Sequence, residues 1–141
     1  MLEEIERNLI RAFRDTGKQR LGQEPAERLR RIQALLDDYV PPDSPGAYLL
    51  LIAEGRVPEW SGVRTNWVIG RSAEANLQLL HPWVTHEHCR LDFDDEDWLL
   101  EDLSSQNKTY VNGEPVTRHL LCNGDVLGIG PMRLVFMRTF G

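Results

Sequence analysis

DLSSQNKTYVNG, residues 102–113, is the stretch whose reading decides the fold. It leaves an apolar run at Trp98, Leu99 and Leu100 and crosses a loop, Ser104 to Lys108, in which every side chain can hydrogen-bond. It then re-enters extended chain at Thr109-Tyr110-Val111 and turns at Asn112-Gly113. A type I′ turn needs φ > 0 at both central residues, which Asn-Gly supplies at little cost, so this dipeptide marks a β-hairpin. A polar loop held between rigid extended segments is a usual place for recognition. The stretch therefore implies a β protein with a binding loop.

Strand signals continue outward from it. Tyr48 to Ala53 is an apolar run, and Thr65 to Ile69 reads as a strand leading into Gly70-Arg71. Leu77 and Leu79 alternate with Asn76 and Gln78, and Cys89, Leu91 and Phe93 alternate with Arg90, Asp92 and Asp94. Trp98 to Leu103 pairs back across Asp94 to Asp97, an acidic hairpin tip whose successive side chains alternate in direction and cannot all face one cation. Val126 to Ile129 and Met132 to Met137 close the set. Short strands separated by turn signals predict a mostly β chain folded as an antiparallel sandwich.

Before residue 41 the period is helical. Leu2, Ile5, Leu9 and Phe13 form one stripe; Leu29, Ile32, Leu35, Leu36 and Tyr39 form another after Pro25, which suits a first helical turn. An N-terminal α-helical hairpin is predicted over residues 1–40, packed on the sandwich or on a second copy of the chain. A homodimer through these helices is one association this allows. Pro41-Pro42-Asp43-Ser44-Pro45-Gly46 breaks any helix and forms a stiff linker, 41–46, before a sandwich over 47–141.

Charge narrows the partner class. Residues 1–40 are balanced, with eight basic and eight acidic side chains, so the net charge of −6 lies in the rest. That surface disfavours nucleic acid, which needs net basic patches. No run is long and apolar enough for a membrane span, and the acidic, amphipathic start lacks the basic and apolar regions of a signal peptide. Two cysteines, Cys89 and Cys122, give no disulfide framework, so a cytoplasmic location is expected.

Four motifs stand in register: Ile69-Gly70-Arg71-Ser72, Val84-Thr85-His86-Glu87-His88, Asn107-Lys108-Thr109 with Asn112-Gly113, and Asn123-Gly124-Asp125. In this order and spacing they resemble the forkhead-associated (FHA) domain, a β-sandwich of SMAD/FHA type that binds phosphothreonine peptides. The resemblance covers roughly residues 47 to 138. It implies a phosphopeptide site formed by Arg71, Thr85, His86, Asn107 and Lys108, with Ser72 and Gln106 as further polar contacts. It implies a supporting role for Gly70, His88, Thr109, Asn112 and Gly113, with His88 tying the loops together. The chemistry is consistent, since a phosphothreonine brings about −1.5 to −2 charges and three strong acceptors, which need a guanidinium, hydroxyls and N–H groups from several loops.

Three positions depart from the family pattern. Thr85 replaces a serine and adds a methyl beside the hydroxyl; His86 stands where Arg or Lys is common; Lys108 replaces glycine. If that glycine needs φ > 0, the lysine stores roughly 1–3 kcal/mol of strain but brings an ammonium towards the phosphate. If His86 contacts the phosphate, affinity should rise as pH falls from about 7.5 towards 6.5. These departures keep a second reading open, an FHA-like scaffold associating through its helices or a sheet face without phosphate. Catalysis is not expected, because no serine or cysteine sits beside a base in a glycine-rich elbow. No cofactor or metal is expected either: in His86-Glu87-His88-Cys89 the cysteine would point away from His88, and a closed zinc site needs four convergent ligands. The predicted partner is a phosphothreonine-containing protein, such as a Ser/Thr kinase or its substrate.

Overall fold

Hydrophobic residues in this chain alternate over short spans, and the elements they form are correspondingly short. The computed structural model describes residues 25–140. One helix, α1 (Pro25–Leu35), precedes β1 (Gly46–Ile52), β2 (Glu59–Val63), β3 (Trp67–Gly70), β4 (Leu77–Gln78), β5 (Cys89–Asp94) and β6 (Asp97–Asp102). There follow β7 (Thr109–Val111), β8 (Glu114–Val116), β9 (Arg118–Leu120), β10 (Val126–Ile129) and β11 (Met132–Thr139). They form two sheets, ordered β2-β1-β11-β10-β7-β8 and β4-β3-β5-β6-β9. Pairing is antiparallel except between β3 and β4. The chain changes sheet at Thr117, whose carbonyl accepts the Asp102 N–H (2.9 Å).

Leu49, Leu91, Leu100, Leu127, Leu134 and Phe136 are buried in the cluster between the sheets. Alternate residues of the same strands face outward, and on the six-stranded sheet these are also apolar: Leu50, Ile52, Val126, Val135 and Met137. Helix α1 covers them. Ile32 and Leu36 are buried there, flanked by Leu29, Leu35 and Tyr39, which is the stripe read from the sequence. Each fully buried side chain of this kind contributes about 1.5–3 kcal/mol. The helix sits so close that a Cβ at Gly124 would lie 3.0 Å from Leu29 Cδ1, and Gly124 also has φ 88°.

Of the predicted helical hairpin, the described residues hold the second helix alone, and it is short. It ends at Leu35, six residues before Pro41; the first, residues 2–15, lies outside the described residues. The apolar stripe of α1 lies against the chain's own sheet. The linker is pinned at Ser44, whose carbonyl accepts both Tyr48 Oη–H (2.8 Å) and Thr139 Oγ1–H (2.6 Å). Strands β2 and β9 were not anticipated, and β8 only as the unnamed return strand of the Asn112-Gly113 hairpin. β2 reads Glu-Trp-Ser-Gly-Val, and β8 and β9 are three-residue edge strands, too short to display alternation. The Asp94–Asp97 tip is a hairpin turn with Asp95 at φ 58°. Asn112 and Gly113 have φ 52° and 85°, joining β7 to β8 through the Val111–Glu114 pair as the dipeptide predicts.

Candidate functional site

Three connections meet at one end of the sandwich: the turn after β3, the segment between β4 and β5, and the loop between β6 and β7. Backbone bonds lace the first two together, Arg71 N–H to Thr85 O (3.0 Å) and Ser72 N–H to His86 O (3.1 Å). This approach explains Gly70, since a Cβ there would stand 2.1 Å from His86 O, an impossible separation between non-bonded atoms.

His88 joins the third loop. Its side chain is fully buried, Nδ1 accepts the Thr85 N–H (3.1 Å), and Nε2–H donates to Lys108 O (2.9 Å). Accepting on one nitrogen and donating on the other fixes a neutral ring with its proton on Nε2. Both nitrogens are thereby used, and Cys89 is buried in the core, where loss of solvation pushes its thiol far up. The sequence His86–Cys89 thus ties loops and fills the core.

Lys108 has φ 65°, so it does occupy the left-handed conformation that a glycine would take without strain. The energy is supplied around it. Asp102 accepts Ser105 N–H (3.1 Å) and Thr109 Oγ1–H (2.7 Å) as well as the Ser105 hydroxyl, gathering the loop about one carboxylate. Gln106 N–H donates to Thr85 Oγ1 (3.0 Å), and Asn107 Nδ2–H to Trp83 O (2.9 Å). Asp102 and Trp83 were missed as site residues. The first carried a signal, an aspartate followed three residues later by serine in a turn-rich loop; the second did not, because its contact is through the backbone carbonyl.

What remains is unspent bonding capacity. Thr85 Oγ1 accepts one bond, leaving its own hydroxyl proton to donate. Ser72 Oγ likewise accepts the Glu74 N–H (3.1 Å) and keeps its proton. Arg71 has Nη2 3.4 Å from His86 Nε2, while its Nε is buried without an acceptor. A guanidinium only donates, so in this contact His86 Nε2 is the acceptor. Lys108 is exposed and has no carboxylate partner among the described residues. Arg71, Ser72, Thr85, His86, Gln106, Asn107 and Lys108 therefore belong to one laced loop cluster, with Gly70, His88 and Thr109 beneath it.

Asn112 and Gly113 serve a different knot. Asn112 donates through Nδ2 to Asp125 Oδ1 (3.0 Å), and its Oδ1 accepts the Val126 N–H (3.0 Å). Asp125 is fully buried and also accepts His119 Nε2–H and the Cys122 N–H, at 3.0 and 2.8 Å. Burial alone would raise its pKa, but these hydrogen bonds and the nearby His119 hold the carboxyl below its ordinary value.

The chain is thus a two-sheet β-sandwich that gathers polar loops of spare donor capacity at one end. Residues 67–130 match the model of the FHA domain. The glycogen accumulation regulator GarA of Mycobacterium tuberculosis is 37% identical over 68 residues, which is 48% of this chain and 42% of GarA. The oxoglutarate dehydrogenase inhibitor of Corynebacterium diphtheriae is 30% identical over 100 residues, 71% of this chain and 70% of that protein. Among solved structures, the FhaA FHA domain complexed with the intracellular domain of Rv3910 is 30% identical with a TM-score of 0.60; the match covers 65% of this chain and all of that domain. An FHA structure from a study of phosphothreonine-dependent FHA domain interactions agrees equally, at 30% identity and TM-score 0.60, over 67% of this chain and 97% of that one. The chain belongs to the FHA domain family. It spans less than half the length of the GarA proteins it matches.

Proposed function

We propose that this chain is a phosphothreonine-binding adaptor, and that the phosphate is held between Arg71, Thr85 and Lys108. The observation that supports this most is the set of unspent donors on a loop cluster laced by backbone bonds: a guanidinium with a buried, unpaired Nε, a hydroxyl proton and an ammonium. Asn107 and Gln106 would orient the peptide backbone beside the phosphate, and Ser72 and His86 would border it. The relatives' names, a regulator and an inhibitor, support a protein that acts by binding another protein. The partner would be a phosphothreonine-bearing protein, such as a Ser/Thr kinase or its substrate.

A few loops touching a few peptide residues give affinity of about micromolar, near −8 kcal/mol. The test is titration against degenerate peptide libraries centred on phosphothreonine, phosphoserine or unmodified threonine. Selective binding of the first is expected. Equal binding of all three, or of none by folded protein, would favour the phosphate-independent scaffold instead.

A further inference from the structure

The orphaned guanidinium of Arg71 has a counterpart elsewhere in the molecule. Arg133, on β11, also has its Nε buried without an acceptor, and these are the two arginines so placed among the described residues. Arg133 forms no ion pair with a described residue, and loss of solvation alone lowers its pKa. Its Nη1 is committed to the carbonyls of Gly130 (3.0 Å) and Met132 (2.9 Å), which holds the guanidinium in place. A half-buried cation so held, with donors left over and no counter-ion among the described residues, shares its unpartnered Nε with the arginine proposed to face the phosphate.

That location is a cavity of about 150 Å³ on the outer face of the six-stranded sheet, beside the area covered by α1. Its floor is Gly128, where a Cβ would come within 3.3 Å of Tyr110 Cβ and 3.4 Å of Arg133 Nη1, so the absence of a side chain keeps the space open. Tyr110 and the Asn112–Gly113 turn form the walls, and Gly130 the rim. The rim reaches the loop cluster, since a Cβ at Gly130 would lie 3.6 Å from Trp83 Cβ, and Trp83 holds Asn107 through its carbonyl. The Trp83 side of that connection is open, with the residue 62% exposed.

We propose that the Arg133 cavity is a second anion site, and that it takes the carboxylate of an acidic side chain on the same partner whose phosphothreonine occupies the loop cluster. This rests on the phosphothreonine reading above. A peptide crossing Asn107 and Trp83 from the loop cluster would come to the rim of the Arg133 cavity at Gly130. The cavity admits a carboxylate and leaves room for the methylenes that carry it. The ligand is therefore a bipartite acidic phosphopeptide, read at two points by two guanidinium groups of the same character.

The test uses the full chain and the phosphothreonine peptides selected above, with each flanking position set in turn to Glu or Gln. Wild-type protein should prefer Glu over Gln at one or two positions removed from the phosphothreonine, by about tenfold for a charge-assisted bond. Arg133→Gln should abolish that preference while keeping the dependence on phosphothreonine; Arg133→Lys should restore it in part. Arg71→Ala separates the two claims, because it should abolish phosphate dependence without removing the Glu preference. Indifference to Glu at every position, or a preference that survives in folded Arg133→Gln protein, would overturn the second site. Absence of phosphothreonine dependence in wild-type protein would overturn the parent reading. In that case, line broadening or shifts at the Arg133 Nε–H on titration with glutarate, read by NMR, would still decide whether the cavity takes a carboxylate.

Discussion

The loop cluster around Arg71 and the knot around Asp125 are both polar, yet their hydrogen-bond accounts differ. At Asp125 a buried carboxylate meets His119, Cys122 N–H and Asn112, while Asn112 closes onto the Val126 backbone. At the loop cluster the backbone is also laced, but Arg71, Thr85, Ser72 and Lys108 retain donors with no acceptor among the described residues. The difference separates two uses of polarity. Mutually satisfied groups fix the fold, and groups held rigid but left unsatisfied are the ones proposed to meet the phosphate.

Breaking the satisfied knot should give the largest effect. Asp125→Ala would leave buried donors without an acceptor and should cost about 3–5 kcal/mol of stability in chemical denaturation. The same carboxyl predicts an acid response. Because its pKa in the folded chain lies below the ordinary value, its contribution is full above the unfolded pKa, about 3.9, and is lost as pH falls through the folded value. Asp125→Asn should therefore be less sensitive than wild type to acid in this range, as thermal melts at successive pH values would register.

Gly70→Ala comes next and acts on the lacing. Its Cβ cannot coexist with His86 O, so the Arg71–Thr85 and Ser72–His86 bonds must part. A loss of about 3 kcal/mol in stability is expected, accompanied by loss of peptide binding. Arg71→Ala should sharpen the contrast instead, lowering phosphopeptide affinity by about 2–3 kcal/mol in calorimetric titration with the melting temperature nearly unchanged. The smallest effect has opposite signs in two assays. Lys108→Gly relieves a left-handed lysine but adds unfolded-chain entropy, so stability should rise by about 0.5–1 kcal/mol while affinity falls severalfold.

The parts legible in the sequence were those governed by local rules. Asn112-Gly113 announced its turn, Leu29, Ile32 and Leu36 their buried face, and the spacing of Gly70-Arg71, Thr85, His88 and Asn107 the loops that meet. The role of His88 and the positive φ at Lys108 also followed from the family pattern. Illegible were the relations that depend on three-dimensional proximity. Nothing in a pattern of residues places Trp83 O against Asn107, sets Asp102 at the centre of its loop, or turns His86 towards Arg71. Arg133 gave no signal either, because a lone arginine in an apolar strand reads as an outward-facing surface residue until its Nε is found buried.

Mapping backbone amide shifts by NMR on adding a library-selected phosphothreonine peptide, with its unphosphorylated form as the control, tests the central claim most directly. Shifts at Arg71, Ser72, Thr85, His86, Gln106, Asn107 and Lys108 that require the phosphate, with His119 and Asp125 little changed, are the expected result. Shifts centred on α1 or produced equally by the unphosphorylated peptide would contradict it.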